Sequence, residues 1–136
     1  MKTNEGRVYF AFDGDDFDPD VVTKLLGIEP SYIKRKGERI PGKIPKRSSW
    51  VLSTEDVKSE YVDIYDMSTQ IINQLKPKKA QIIELKNKYE LSTRLQVVLA
   101  IAMSEEISTP AIGFEIDTVT FLGEVGAFID VDSYRN

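Results

Sequence analysis

The 136-residue chain contains neither cysteine nor histidine. Without cysteine there is no disulfide framework, no thiolate metal ligand and no thiol nucleophile. Without histidine the chain lacks the side chain that titrates near neutral pH and serves most often as a general base or a zinc ligand. Carboxylates, lysines, tyrosines and hydroxyls remain, and few enzyme classes run on those alone. No catalytic residue, metal ligand or cofactor is therefore expected, and the chain is read as a non-enzyme. Long hydrophobic runs are missing as well. The longest, Val97 to Met103, is far too short to span a bilayer, and MKTNEGRVYF at the N-terminus has no apolar core of a signal peptide. The expectation is a cytoplasmic protein with no membrane partner.

Apolar residues at 41% and charged residues at 29% are ordinary globular values. The length suits one domain, residues 1–136, around one core. The stretch that organises it is LSTRLQVVLAIAM at 91–103. Its period of two puts Leu95, Val97, Leu99, Ile101 and Met103 on a large apolar face suited to packing on helices. Arg94, Gln96, Val98, Ala100 and Ala102 form a smaller, mixed second face.

Elsewhere the pattern predicts a strand at 7–13, with Val8, Phe10 and Phe12 opposed to Tyr9 and Ala11. A short helix follows, with Asp18 as N-cap, Pro19 in the first turn, a stripe of Val21, Val22, Leu25 and Leu26, and Gly27 as its stop. Residues 31–48 read as a long loop with a short strand near Tyr32–Lys34. Ser49–Ser53 is the next strand, with Trp50 and Leu52 on its core face. Tyr61, Ile64, Tyr65, Ser68, Ile71, Ile72 and Leu75 keep helical spacing over 60–75. Pro77 breaks that helix and opens another over 77–89, with Ile82, Leu85 and Tyr89 inward. Glu105–Pro110 reads as a turn, Ile112–Phe114 as a short strand, and 115–123 as a last helix stopping at Gly123 or Gly126. In the final strand, Ala127 to Asp132, Ala127, Ile129 and Val131 oppose Phe128, Asp130 and Asp132. This order predicts an α+β two-layer sandwich, with a mixed or mostly antiparallel sheet and helices on one face, and a ferredoxin-like variant as the nearest topology.

Charge is unevenly spread. Lys34, Arg35, Lys36, Arg39, Lys43, Lys46 and Arg47 stand against Glu38 alone, giving +6 in one segment of a chain whose net charge is −4. The rest of the chain therefore carries −10, and the protein reads as an acidic body with one basic loop.

The segments FDGDDFDPDVVTKLLGIEP, KGE at 36–38, SSWVLS at 48–53, LKPKK at 75–79 and GAFIDVDSY at 126–134 occur in this order along essentially the whole chain. In this the chain resembles the bacterial domain-of-unknown-function family 4279. The resemblance implies a small stand-alone domain without a known active site, and it carries no functional residue across.

Asp13, Asp15, Asp16, Asp18 and Asp20 invite comparison with a calcium loop, but no register places glycine at the sixth position and glutamate at the twelfth. A turn capped by aspartates is the simpler reading. Two surfaces remain as binding candidates. One is the basic loop, through Lys34, Arg35, Lys36, Arg39, Lys43, Lys46 and Arg47. The other is the second sheet face, where Tyr9, Phe128, Asp130 and Asp132 would ring small residues. The expected function is a protein-interaction module, an immunity-type inhibitor being one form. A phosphate-ligand or nucleic-acid binder acting through loop 34–47 is the alternative.

Overall fold

A computed structural model describes residues 3–39 and 41–136. Met1 and Lys2 of the expected domain, and Ile40 of the basic loop, lie outside the described residues.

The elements in chain order are β1 (Glu5–Gly14), α1 (Pro19–Leu26), β2 (Tyr32–Lys34), β3 (Ser48–Ser53), β4 (Val57–Lys58), α2 (Ile64–Leu75), a 3-10 turn (Lys76–Lys78), α3 (Lys79–Tyr89), β5 (Ser92–Ile101), α4 (Ile116–Val125) and β6 (Phe128–Arg135). They form one mixed sheet in the order β2-β3-β1-β5-β6, with β4 beside β1 where β3 has ended. All pairs are antiparallel except β5 with β6. Leaving out β4, α4 and β6, and counting α2, the 3-10 turn and α3 as one helical crossover, the remainder is β-α-β-β-α-β with order β2-β3-β1-β5, the ferredoxin-like arrangement. The pair α4 and β6 is an addition: α4 carries the chain back so that β6 lies parallel to β5.

The core lies between the helices and one face of this sheet. Val8, Phe10 and Phe12 of β1, Trp50 and Leu52 of β3, and Leu95, Val97 and Leu99 of β5 meet Val22, Leu26, Ile64, Ile71, Ile72, Ile82, Leu85, Phe121 and Leu122. Phe12 stands edge-on between Phe10 and Trp50, with centroids 5.5 and 5.6 Å away. The Trp50 indole N–H donates to Thr23 Oγ1 at 2.9 Å, which satisfies its one polar atom without leaving the core.

Local chemistry explains most boundaries. The Asp18 carboxylate accepts from the Asp20 N–H, Pro19 needs no partner for an amide it lacks, and Gly27 ends α1 at φ +67°. Gly126, at φ +68°, stops α4, and Lys86 donates to the Val125 and Gly126 carbonyls there at 2.7 Å.

Several expectations need correction. Leu25 is exposed and Val21 half-buried, so the inward side of α1 is Pro19, Val22 and Leu26. Helix α2 starts at Ile64, since Asp63 caps it by accepting from the Asp66 N–H, and Tyr61 and Tyr65 face outward. Residues 112–114 form no strand, and Met103 lies beyond β5 and is exposed. Asp13 lies in β1, as the strand predicted at 7–13 has it, and β1 extends past that strand at both ends, over Glu5–Gly14. The short strand β4 has no signal beyond a single valine, and β1 rather than β5 is the middle strand of the sheet.

Candidate functional site

Among the described residues no helix contributes to the apolar cluster on the second face of the sheet. That cluster is Tyr9, Ala11 and Val51, with Val98 packed against it, and every member is a sheet residue. Strand register sets Tyr32, Val51, Ala11, Arg94 and Phe128 side by side in one row. The next rows run Tyr9, Gln96, Asp130, then Arg7, Val98, Asp132, then Glu5, Ala100, Tyr134. Small and branched residues thus lie along the middle, while Phe128, Asp130, Asp132 and Tyr134 line one margin.

A chain of hydrogen bonds crosses this face. Ser49 donates to Asp13 at 2.7 Å, and Arg94 bridges from Asp13 to the Tyr9 hydroxyl at 3.1 Å and to Gln96 Oε1 at 3.1 Å. Gln96 in turn donates to Asp130 Oδ2 at 2.9 Å. Four strands are joined through polar side chains. Partial burial works against the Arg94 charge, but the Tyr9 hydroxyl and the Asp13 carboxylate more than offset it and hold the guanidinium above the ordinary arginine range. Arg94 is therefore a fixed cation whose charge is answered inside the face.

The strand pattern marked Arg94 and Gln96 only as polar members of a mixed face. Their partners lie far away in sequence, Asp13 being 81 residues from Arg94. Tyr9, expected as a contact residue, is only 9% exposed, with the Arg7 and Arg94 guanidiniums within 5.3 and 5.6 Å of its ring centroid. It organises the face and offers little surface of its own.

Strand β6 is different. Every residue from Phe128 to Arg135 is exposed, and among the described residues the strand pairs with β5 alone. Phe128 is 53% exposed and Tyr134 52%, both on the open face; Ile129 and Val131, on the helix side, exceed a third. Neither Asp130 nor Asp132 forms an ion pair with a described residue.

The basic loop is the tip of the β2–β3 hairpin. It is closed by hydrogen bonds from the Gly37 N–H to the Pro45 carbonyl at 2.9 Å and from the Lys36 N–H to Ser48 Oγ at 3.0 Å. Part of its charge is already engaged by the acidic string. Arg35 donates to Asp18 and to Asp20, both at 2.8 Å, and Lys36 lies 3.3 Å from Asp15. The Arg35 guanidinium, followed by the Asp20 amide, holds the Asp18 carboxyl below its usual range. Lys34 lies 5.9 Å from the centroid of the Tyr32 ring. Arg39, Lys43, Lys46 and Arg47 are exposed and form no ion pair among the described residues. The acidic string and the basic loop, which look like two independent signals along the chain, are in part each other's partners.

Among the described residues no group of three or more carboxylates converges in a way that would hold a metal ion, and no helix is long and apolar enough to cross a membrane. Open grooves lie between helices, one of about 360 Å³ lined by Val21, Leu25, Leu85 and Tyr89 and one of about 440 Å³ lined by Ile72, Lys76, Ile116 and Asp117.

No curated protein and no solved structure matches the chain. The model of one family, described as Domain of unknown function (DUF4279), matches residues 3–136, and the chain therefore belongs to that family.

Proposed function

We propose that the protein is a non-enzymatic protein-interaction module of the bacterial cytoplasm, and that its contact surface is the open sheet face together with β6. The observation that carries this reading is an eight-residue edge strand exposed along its whole length, bearing Phe128, Ile129, Val131 and Tyr134. Exposed apolar side chains grouped on one margin are characteristic of docking surfaces, whereas scattered ones are ordinary. The sheet face beside the strand, small apolar residues crossed by the polar side chains of Arg94 and Gln96, suits a protein or extended peptide better than a small substrate, which needs a concave site. An immunity-type inhibitor, an acidic domain that meets a basic enzyme through complementary charge, is one concrete form.

The test is affinity capture of the tagged full chain at low salt from the cell that makes it, with mass spectrometry of what is retained. The reading expects one protein at near-stoichiometric yield, lost when Phe128 and Tyr134 are both changed to Ser. Retention of nothing but nucleic acid would overturn it.

A second reading is favoured by four cations at the hairpin tip, Arg39, Lys43, Lys46 and Arg47, that form no ion pair among the described residues: binding of a phosphate ligand or nucleic acid. It expects heparin retention that falls steeply with salt and disappears when these four residues are changed to Glu.

A further inference from the structure

We infer that β6 is a strand-addition site whose occupant is an extended basic segment, with Lys or Arg at alternate positions and apolar residues between them. This rests on the protein-interaction reading and names the chemistry of the partner.

An edge strand presents unpaired backbone donors and acceptors, and a second strand can pair with them. The two edges of this sheet are protected differently. Strand β2 has three residues and leads into a loop tied to α1 by Arg35. Strand β6 has eight, exposed on both faces. Its charges are Asp130, which accepts from Gln96, and Asp132 on one face, neither in an ion pair with a described residue, and Arg135 at the far end of the other. On the other face stand Ile129 and Val131.

That arrangement discriminates among occupants. A second copy pairing antiparallel across a two-fold axis keeps like faces together. In the registers of greatest overlap, centred on Val131 or on Asp132, Asp130 then lies opposite Asp132 of the second copy, or Asp132 lies opposite itself. Like charges directly opposite are unfavourable. A basic segment reverses the sign of that term. Cations two residues apart fall opposite Asp130 and Asp132, and the intervening apolar side chains fall opposite Ile129 and Val131. Phe128 and Tyr134, at either end of the acidic pair, add aromatic faces that accept a further Lys or Arg.

The probe is an eight-residue peptide alternating Lys and Val, capped at both ends and fluorescently labelled. A control peptide of the same composition has its lysines in one block. Anisotropy titrations against the full chain are expected to show saturable one-to-one binding of the alternating peptide, at least tenfold tighter than the block control. Hydrogen exchange should slow at residues 128–135. The double variant Asp130→Lys/Asp132→Lys should lose tenfold or more for this peptide and gain affinity for one alternating Glu and Val. The milder Asp130→Asn/Asp132→Asn should lose the preference without the reversal. Equal binding of the alternating and block peptides, protection confined to other strands, or self-association of the protein alone with β6 protected would each overturn the inference. A captured protein that the Asp130→Lys/Asp132→Lys variant still retains would overturn it while leaving the interaction module standing.

Discussion

Replacing Asn4 by alanine removes a fully buried side chain that ties together three segments distant in sequence. Its amide nitrogen donates to the Glu60 and Ser108 carbonyls, each at 3.0 Å, and its Oδ1 accepts the Ala102 N–H at 2.9 Å. The start of β1 is thereby fastened to the segment before α2 and to the irregular stretch after β5, where no regular element supplies the backbone with partners. A hydrogen bond contributes about 1 kcal/mol net, so the loss of three costs about 3 kcal/mol. With a urea slope of about 2 kcal/mol/M, the unfolding midpoint falls by about 1.5 M. The assay is urea denaturation followed by Trp50 fluorescence. Asn4→Asp sharpens the test. It keeps the acceptor for Ala102 but sets a carboxylate against two carbonyls, which raises its folded-state pKa. Its folded state then binds the proton more tightly than the unfolded chain, so its stability deficit shrinks as the pH falls through that raised pKa. A midpoint shift below about 0.3 M for Asn4→Ala, equivalent to about 0.6 kcal/mol, would refute the reasoning.

Four further outcomes are expected. Arg94→Met leaves the Asp13 carboxylate nearly buried with Ser49 as its remaining partner, and should cost about 2 kcal/mol, below the usual figure for a broken buried pair because Arg94 is itself partly solvated; a double-mutant cycle with Asp13→Asn measures the coupling. Gly126→Ala places a Cβ at φ +68° and 2.9 Å from Lys86 Nζ, and should cost about 1 to 2 kcal/mol in thermal or urea unfolding. Thr23→Val leaves the Trp50 indole N–H without its acceptor, and should cost about 1 kcal/mol with a shift in tryptophan emission. The Asp18 carboxyl is held below its ordinary 3.8, so its contribution to stability is complete above that value and is lost as pH falls through the lower folded-state pKa. Carbon-detected NMR titration of Asp18 follows this directly, and Arg35→Ala should move its pKa back up.

The alternating and helical stretches were legible because each is fixed by neighbours along the chain. Val8, Phe10 and Phe12, Trp50 and Leu52, and Leu95, Val97 and Leu99 all face the core as their period requires. Asp18, Pro19 and Gly27 bound α1 by chemistry visible in the sequence itself. Gly123 and Gly126 were equivalent stops on paper. Position 126 wins because Lys86, from another helix, meets the carbonyls there. The parallel placement of β6 could not be read, since strand order depends on how α4 crosses the sheet and not on any residue of β6. For the same reason its exposure was hidden: Ile129 and Val131 alternate like core residues, but the helical layer leaves them uncovered. The polar chain from Ser49 to Asp130 was invisible because its members come from four strands. The pairing of Arg35 with Asp18 and Asp20 is not legible in the sequence, because both groups are exposed and each has an adequate local explanation.

The measurement that bears most directly on the central claim is hydrogen exchange of the full chain, free and with its captured protein partner, read at residues 128–135. Exchange is expected to slow along β6, with the hairpin tip at 35–47 unchanged. Protection confined to the hairpin tip, with β6 exchanging as freely as in the isolated protein, would contradict it and move the function to the basic loop.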